Sequence, residues 1–186
     1  MDKKLIVPDG FPYAGSSLKE IISPKDIAAR IKELGIEISK HYQNSTPIVI
    51  GILNGSVIFV SDLIRVLNIN CEVDFIKVES YLGEIKSSGS VRLIKDISLD
   101  ILNRDILIAE DIIDSGLTLR YLKKHIIKFK PKSIRIISLL KKNQHLNTDI
   151  KADWIGFNID DNFVVGYGLD IKQRFRDLPG IYIVKE

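Results

Sequence analysis

The sequence predicts an α/β fold, a mainly parallel twisted sheet with helices on both faces and a small β-rich hood beside one edge. Continuous apolar runs at residues 48–53, 106–109 and 133–140 have the pattern of strands covered on both faces. Between them, apolar residues recur at helical spacing. Strand, helix, strand, helix, strand in this rhythm requires right-handed crossovers, which gather the segments after each strand along one sheet edge. Residues 1–186 read as a single domain, with the hood built from the amino-terminal arm and about residues 150–186.

Composition narrows the class. A chain of 186 residues that is 45% hydrophobic can bury a substantial core, and no linker or low-complexity tract divides it. The net charge of +3, from 27 basic and 24 acidic residues spread along the chain without a basic block, is a weak hint of anionic ligands and makes no case for a nucleic-acid partner. The lone Cys71 excludes an internal disulfide and fits the cytosol. The first ten residues hold too short an apolar segment for a signal peptide, and no apolar run approaches the ~20 residues of a membrane span.

Taken in order, residues 1–22 contain Pro8, Gly10, Pro12 and Gly15 and read as an irregular arm with one short strand. Ser23 before Pro24 is a helix start, and Ile27, Ile31, Leu34 and Ile38 then mark one helical face, weakened slightly by Gly35. The strand at 48–53 ends at Asn54-Gly55-Ser56, and a second helix runs through Phe59, Leu63, Val66 and Leu67. Residues 73–78 form a strand ending at Glu79-Ser80-Tyr81, and the Gly/Ser-rich stretch at 82–90 reads as slack or as a lid. Residues 91–104 hold another strand and a turn. A third helix, with Leu119, Leu122, Ile126 and Ile127 on one side, is closed by Pro131, and Lys141-Lys142 end the strand at 133–140. The tail from 154 to 184 alternates short apolar runs with Asp160-Asp161, Gly166, Gly168 and Asp170, which suggests the hood. His41, His125 and His145 have no spacing suited to a metal site.

The chemistry is concentrated in residues 106–119, ILIAEDIIDSGLTL. Two carboxylates, Glu110 and Asp111, end an apolar strand, where burial is costly without cations or an opening to water. At the carboxyl end of a parallel strand they could receive hydroxyls or a hydrated metal. Asp114, Ser115, Gly116, Leu117 and Thr118 follow, and a helix starting at about Ser115 would turn its amides and hydroxyls towards a phosphate. Taken singly, Asp114 or Ser115 reads first as a helix cap and the acidic pair as a solvated loop, since caps are far commoner than phosphate sites.

The whole string resembles the phosphoribosyl pyrophosphate loop of the type I phosphoribosyltransferases. From about residue 48 onward, LNGSVIFVSDLIR, the Ser80-Tyr81 pair, SLLKK and FVVGYGLDIKQRFRDLPG are similar to the family's purine-salvage branch, the hypoxanthine-guanine phosphoribosyltransferases. The resemblance implies transfer of 5-phosphoribosyl from phosphoribosyl pyrophosphate to hypoxanthine or guanine, with magnesium as cofactor. It places Glu110 and Asp111 on the ribose hydroxyls and an attendant magnesium, and residues 114–118 on the 5′-phosphate, with Asp114 as the base that takes a purine proton. Lys142 would reach the exocyclic oxygen of a 6-oxopurine, Phe163 would stack on the base, and Val164 and the backbone around Asp170 would meet its edge. Asp170 would also bind a second magnesium through water. Asn54, Gly55 and Arg176 would contact pyrophosphate, and Ser80 and Tyr81 would form the lid. A homodimer or homotetramer is implied, with no nucleic acid and no membrane. The alternative class is a nucleotide-sensing regulator of the same fold, which would need a basic, aromatic-bearing RNA surface not evident here. A Rossmann or P-loop binder is excluded because neither GxGxxG nor GxxxxGK[ST] occurs. The chain departs from many relatives at Asn54, where they carry lysine, and from some at Glu79. Both changes remove positive charge near an anionic substrate and put leaving-group affinity in question.

Overall fold

The computed structural model describes residues 5–81, 90–143 and 150–185. Six strands form one sheet in the order β4-β3-β2-β5-β6-β7: β2 (Ile48–Leu53), β3 (Glu72–Tyr81), β4 (Ser90–Lys95), β5 (Asp105–Ile113), β6 (Ser133–Lys142) and β7 (Trp154–Ile159). All neighbouring pairs are parallel except β3 with β4 at one edge. A smaller antiparallel sheet joins β1 (Ser17–Ile22), β9 (Ile181–Lys185) and β8 (Val164–Val165) in that order.

Local sequence accounts for the helices. Helix α1 (Pro24–His41) starts where the Ser23 hydroxyl accepts from the Asp26 amide at 3.2 Å, with proline at its first position and Asp26 at its positive end. Its Ile27, Ile31, Leu34 and Ile38 stripe is buried against α2 (Val57–Val66) and one face of the sheet. Gly35 is the residue that propensity alone marks as a weakness. A Cβ there would stand 2.7 Å from Val66 Cγ2, so its bareness lets the two helices approach. Helix α3 (Leu117–Ile126) covers the other face with Leu119, Leu122 and Ile126 packed on Ile48, Ile106 and Ile108.

Several elements differ from the sequence-based expectation. Trp154–Ile159 was expected in the hood, yet it extends the parallel sheet beside β6 as β7, and only Val164–Val165 and Ile181–Lys185 of the tail join the hood. Helix α3 begins two residues after Ser115, because Gly116 takes a left-handed conformation at φ 71°. Ile127 turns away from the buried face into a short 3₁₀ turn and is 59% exposed. Leu67 is the extended residue that ends α2. Of the candidate lid, residues 82–89 lie outside the described residues.

One buried clamp holds the β4 edge. Asp74 accepts from the amides of Phe75, Ser98 and Leu99 and from Lys95 Nζ. Burial raises the Asp74 carboxyl, but these donors together hold it below the usual range.

Candidate active site

Glu110 and Asp111 reach the end of β5, and strand alternation sends them to opposite faces. Glu110 turns towards α3, where it lines a small pocket with Asp114, Ser115, Gly116 and Thr118. Asp111 turns towards the segment after β2, where a Cβ on Gly55 would overlap Asp111 Oδ2. Asp111 Oδ1 accepts from the Ile112 amide at 2.8 Å. Glu110 Oε2 is buried with no hydrogen-bond partner among the described residues. Burial and then the charge of Asp111 push the Glu110 carboxyl well above its ordinary range. Burial also raises Asp111, though the Ile112 amide and Arg176 offset part of that shift.

Gly116 sets the turn into α3, and its carbonyl accepts from the Arg120 amide at 3.0 Å. The Ser115 hydroxyl faces the Leu117 amide at 3.5 Å. Small and polar side chains thus surround the positive end of the helix, as an anion site requires.

Lys142 leaves β6 beside this turn. Its Nζ donates to Asp161 Oδ1 at 3.0 Å and to Asp114 Oδ2 at 3.4 Å, and only 14% of its side chain is exposed. Desolvation disfavours the ammonium, but the two carboxylates outweigh it and its pKa is raised. Phe163 is 43% exposed, with its ring 5.3 Å from that of Tyr13 in the amino-terminal arm. Val164 is buried and pairs with Ile183 in the hood.

The segment after β8 folds back on itself. Arg176 pairs with Asp170 at 2.8 Å and donates to the Gly168 carbonyl at 2.5 Å and to Gln173 Oε1 at 2.9 Å. Asp170 also accepts from the Gln173 amide at 2.6 Å. Both proposed ligand-contacting side chains are therefore engaged in bracing this loop. A Cβ on Gly168 would overlap the Gly55 carbonyl, so the hood loop lies directly on the Asn54-Gly55 turn, whose Leu53–Asn54 peptide is cis.

The fold thus brings together Glu110 with residues 114–118, Lys142 with Asp114, Asp170 with Arg176, and Gly55 with both Asp111 and Gly168. Ser80 and Tyr81 end β3, opposite Val91 and Ser90 of β4. Asp161, read from sequence only as a break between the short apolar runs of the tail, is the second partner of Lys142. Its neighbour Asp160 and the apolar β7 before it gave no signal of that role. A separate cavity of about 650 Å³ lies between α1, α2 and Asp177–Pro179, lined by Ile27, Ile31, Ile58 and Tyr167. His125 is tied to Asp96 at 2.9 Å.

Among the described residues no three of His, Cys, Asp and Glu form a ready-made metal cage. The donor set is oxygen only, and the buried, unpartnered Glu110 Oε2 beside Asp111 asks for a hydroxyl or a hydrated cation. That suits magnesium, which keeps several waters and shares substrate oxygens.

The family model described as "Phosphoribosyl transferase domain" matches residues 17–172, so this doubly wound sheet, with an acidic strand end beside the turn that opens α3, is that of a phosphoribosyl-transferring class of protein. Over 167 residues the chain is 48% identical to the hypoxanthine-guanine phosphoribosyltransferase of Bacillus subtilis, covering 90% of this chain and 93% of that protein. The same enzyme of Lactococcus lactis is 43% identical, at 90% and 91% coverage. A crystal structure of a hypoxanthine-guanine phosphoribosyltransferase from Bacillus anthracis superposes with a TM-score of 0.86 at 38% identity, covering 90% of this chain and 98% of that one. The chain belongs to the phosphoribosyltransferase family, in its hypoxanthine-guanine branch.

Proposed function

We propose that the protein works in purine salvage, moving 5-phosphoribosyl from phosphoribosyl pyrophosphate to hypoxanthine or guanine and releasing IMP or GMP and pyrophosphate. The observation that carries this reading is the buried Glu110 carboxyl, one oxygen of it unpartnered among the described residues, set against the turn at residues 114–118 that opens α3.

In this reading Glu110 and Asp111 hold the ribose hydroxyls, and Ser115, Gly116, Leu117 and Thr118 take the 5′-phosphate at the α3 amino terminus. Asp114 accepts the proton released from the purine imidazole as the new bond to the sugar forms. Lys142 donates to the 6-oxo group. An ammonium has no acceptor, so the 6-amino group of adenine meets a donor and is rejected. Phe163 stacks on the base, and Val164 and the backbone near Asp170 meet its edge. Glu110, Asp111 and Asp170 would hold magnesium, which would supply positive charge to offset that of the departing pyrophosphate. Asn54, Gly55 and Arg176 orient that leaving group, Arg176 by exchanging some of its loop contacts for phosphate oxygens. Ser80 and Tyr81 lead into the lid that shields the cationic sugar from water. Assembly as a homodimer or homotetramer belongs to the same reading.

The test is turnover by purified protein with phosphoribosyl pyrophosphate and magnesium, offered hypoxanthine, guanine, xanthine, adenine or uracil separately. Nucleotide and pyrophosphate release with hypoxanthine or guanine, and none with adenine or uracil, is expected. No turnover with any base would refute the assignment.

A further inference from the structure

One side chain of the hood loop turns inward, away from the edge that holds Phe163, Asp170 and Arg176. Tyr167 is 7% exposed, and its hydroxyl donates to Asp62 Oδ2 on α2 at 2.6 Å. Its backbone stands at φ 49° between Gly166 at 97° and Gly168 at 101°. A bulky residue adopts that left-handed conformation only where its surroundings hold it. Two backbone bonds help, from the Tyr167 amide to the Leu178 carbonyl at 2.7 Å and from the Gly168 amide to the Arg176 carbonyl at 3.0 Å.

The anchored residue is followed at once by Gly168, which rests on the Gly55 carbonyl, and Gly55 in turn rests on Asp111. The Asn54-Gly55 turn runs directly into α2, the helix that carries Asp62. A closed circuit results: α2 holds Tyr167, Tyr167 sets Gly168, Gly168 seats the turn that begins α2, and that turn faces Asp111. We propose that the Tyr167–Asp62 hydrogen bond is a positioning latch, which fixes the depth of the hood loop against the Asn54-Gly55 turn and Asp111 and so sets affinity for phosphoribosyl pyrophosphate. Tyr167 and Asp62 are positioning residues that touch no substrate. The inference rests on the proposed function and adds to it two residues remote from the reacting atoms.

The latch separates cleanly from stability. The Asp62 side chain is 42% exposed and lies 3.6 Å from Arg65, so losing the tyrosine hydroxyl leaves no buried charge stranded. The Tyr167 ring would keep its apolar contacts in a phenylalanine.

Tyr167→Phe, Asp62→Ala and Asp62→Asn in the full chain, each with wild type, form the experiment. Affinity for phosphoribosyl pyrophosphate with magnesium is read by calorimetry, and KM and kcat by steady-state transfer to hypoxanthine. Tyr167→Phe and Asp62→Ala are expected to weaken donor binding and raise its KM by roughly fivefold or more, the effect of one hydrogen bond to a charged group. Turnover at saturation should stay within about twofold of wild type, since the reacting groups remain. Asp62→Asn, which keeps an acceptor for the tyrosine hydroxyl, should recover wild-type affinity. Donor affinity within about twofold of wild type in both Tyr167→Phe and Asp62→Ala would overturn the latch, as would a fall in melting temperature as their sole effect. Wild type that binds the donor without turnover would refute the proposed reaction, and the calorimetric comparison would still decide the latch.

Discussion

Lys142 Nζ stands 3.4 Å from Asp114 Oδ2, although 28 residues separate the two in sequence. They meet because β5 and β6 are parallel neighbours whose carboxyl ends open on the same side, with Ile113 opposite Lys141. A cation assigned to a 6-oxo group therefore lies beside the carboxylate assigned to the proton. Both can face one bound purine.

Asp114→Asn should lower kcat by ~10² to 10⁴ while leaving the purine and donor KM values within a few-fold. Asparagine keeps the size and one acceptor but cannot take the proton. Steady-state kinetics decide this, and an unchanged kcat would remove Asp114 from the chemistry.

Lys142→Ala should act on selectivity. Without the donor, discrimination between hypoxanthine and adenine should shrink by roughly tenfold or more, mostly through loss of hypoxanthine efficiency. The comparison is kcat/KM for the two bases. An undiminished ratio would place the specificity elsewhere.

Glu110→Gln tests the buried carboxyl by its pH dependence. Because the folded protein raises the Glu110 pKa, it keeps a proton that the unfolded chain releases above about 4.5. Stability must then fall as pH rises through the interval between the unfolded and folded values. Glutamine is neutral at every pH, so the variant should melt higher than wild type at pH 8 and show a flatter pH slope. It should also bind the sugar donor more weakly, since the ionised form is the one that receives hydroxyls and a cation. Equal pH slopes in thermal melts of the two proteins would contradict the burial argument.

Gly55→Ala should be severe in function. The added methyl would overlap Asp111 Oδ2, which must shift together with the turn beneath Gly168. A displacement of this order in a positioned group costs about 10²-fold in kcat/KM. Retention of wild-type kcat/KM would show that the turn can yield without disturbing Asp111.

Asp74→Asn addresses stability alone. Asparagine retains one acceptor oxygen where the carboxylate served the amides of Phe75, Ser98 and Leu99 and Lys95 Nζ. A loss of about 2 kcal/mol in denaturant unfolding is expected, without a change in kinetics. In wild type this contribution is present above the ordinary aspartate range and is lost as pH falls through the lowered Asp74 value.

What the sequence determined by itself was set by local pattern. Unbroken apolar runs specify buried parallel strands, Ser23-Pro24 specifies a helix start, and the carboxylates after ILIA together with DSGLT specify a strand end and a small-residue turn into a helix, because each depends on residues within a turn or two of one another. Tertiary structure decided the rest. Residues 154–159 could have lain in either sheet, and pairing with β6 settled it. Gly35 is a loss to an isolated helix and a gain once Val66 packs there. Asp161 on Lys142, Asp62 on Tyr167, and Gly55 between Asp111 and Gly168 are contacts across as many as 113 residues. Spacing along a chain carries no information about such pairs, since only closure of the sheet and docking of the hood bring their partners within hydrogen-bonding reach.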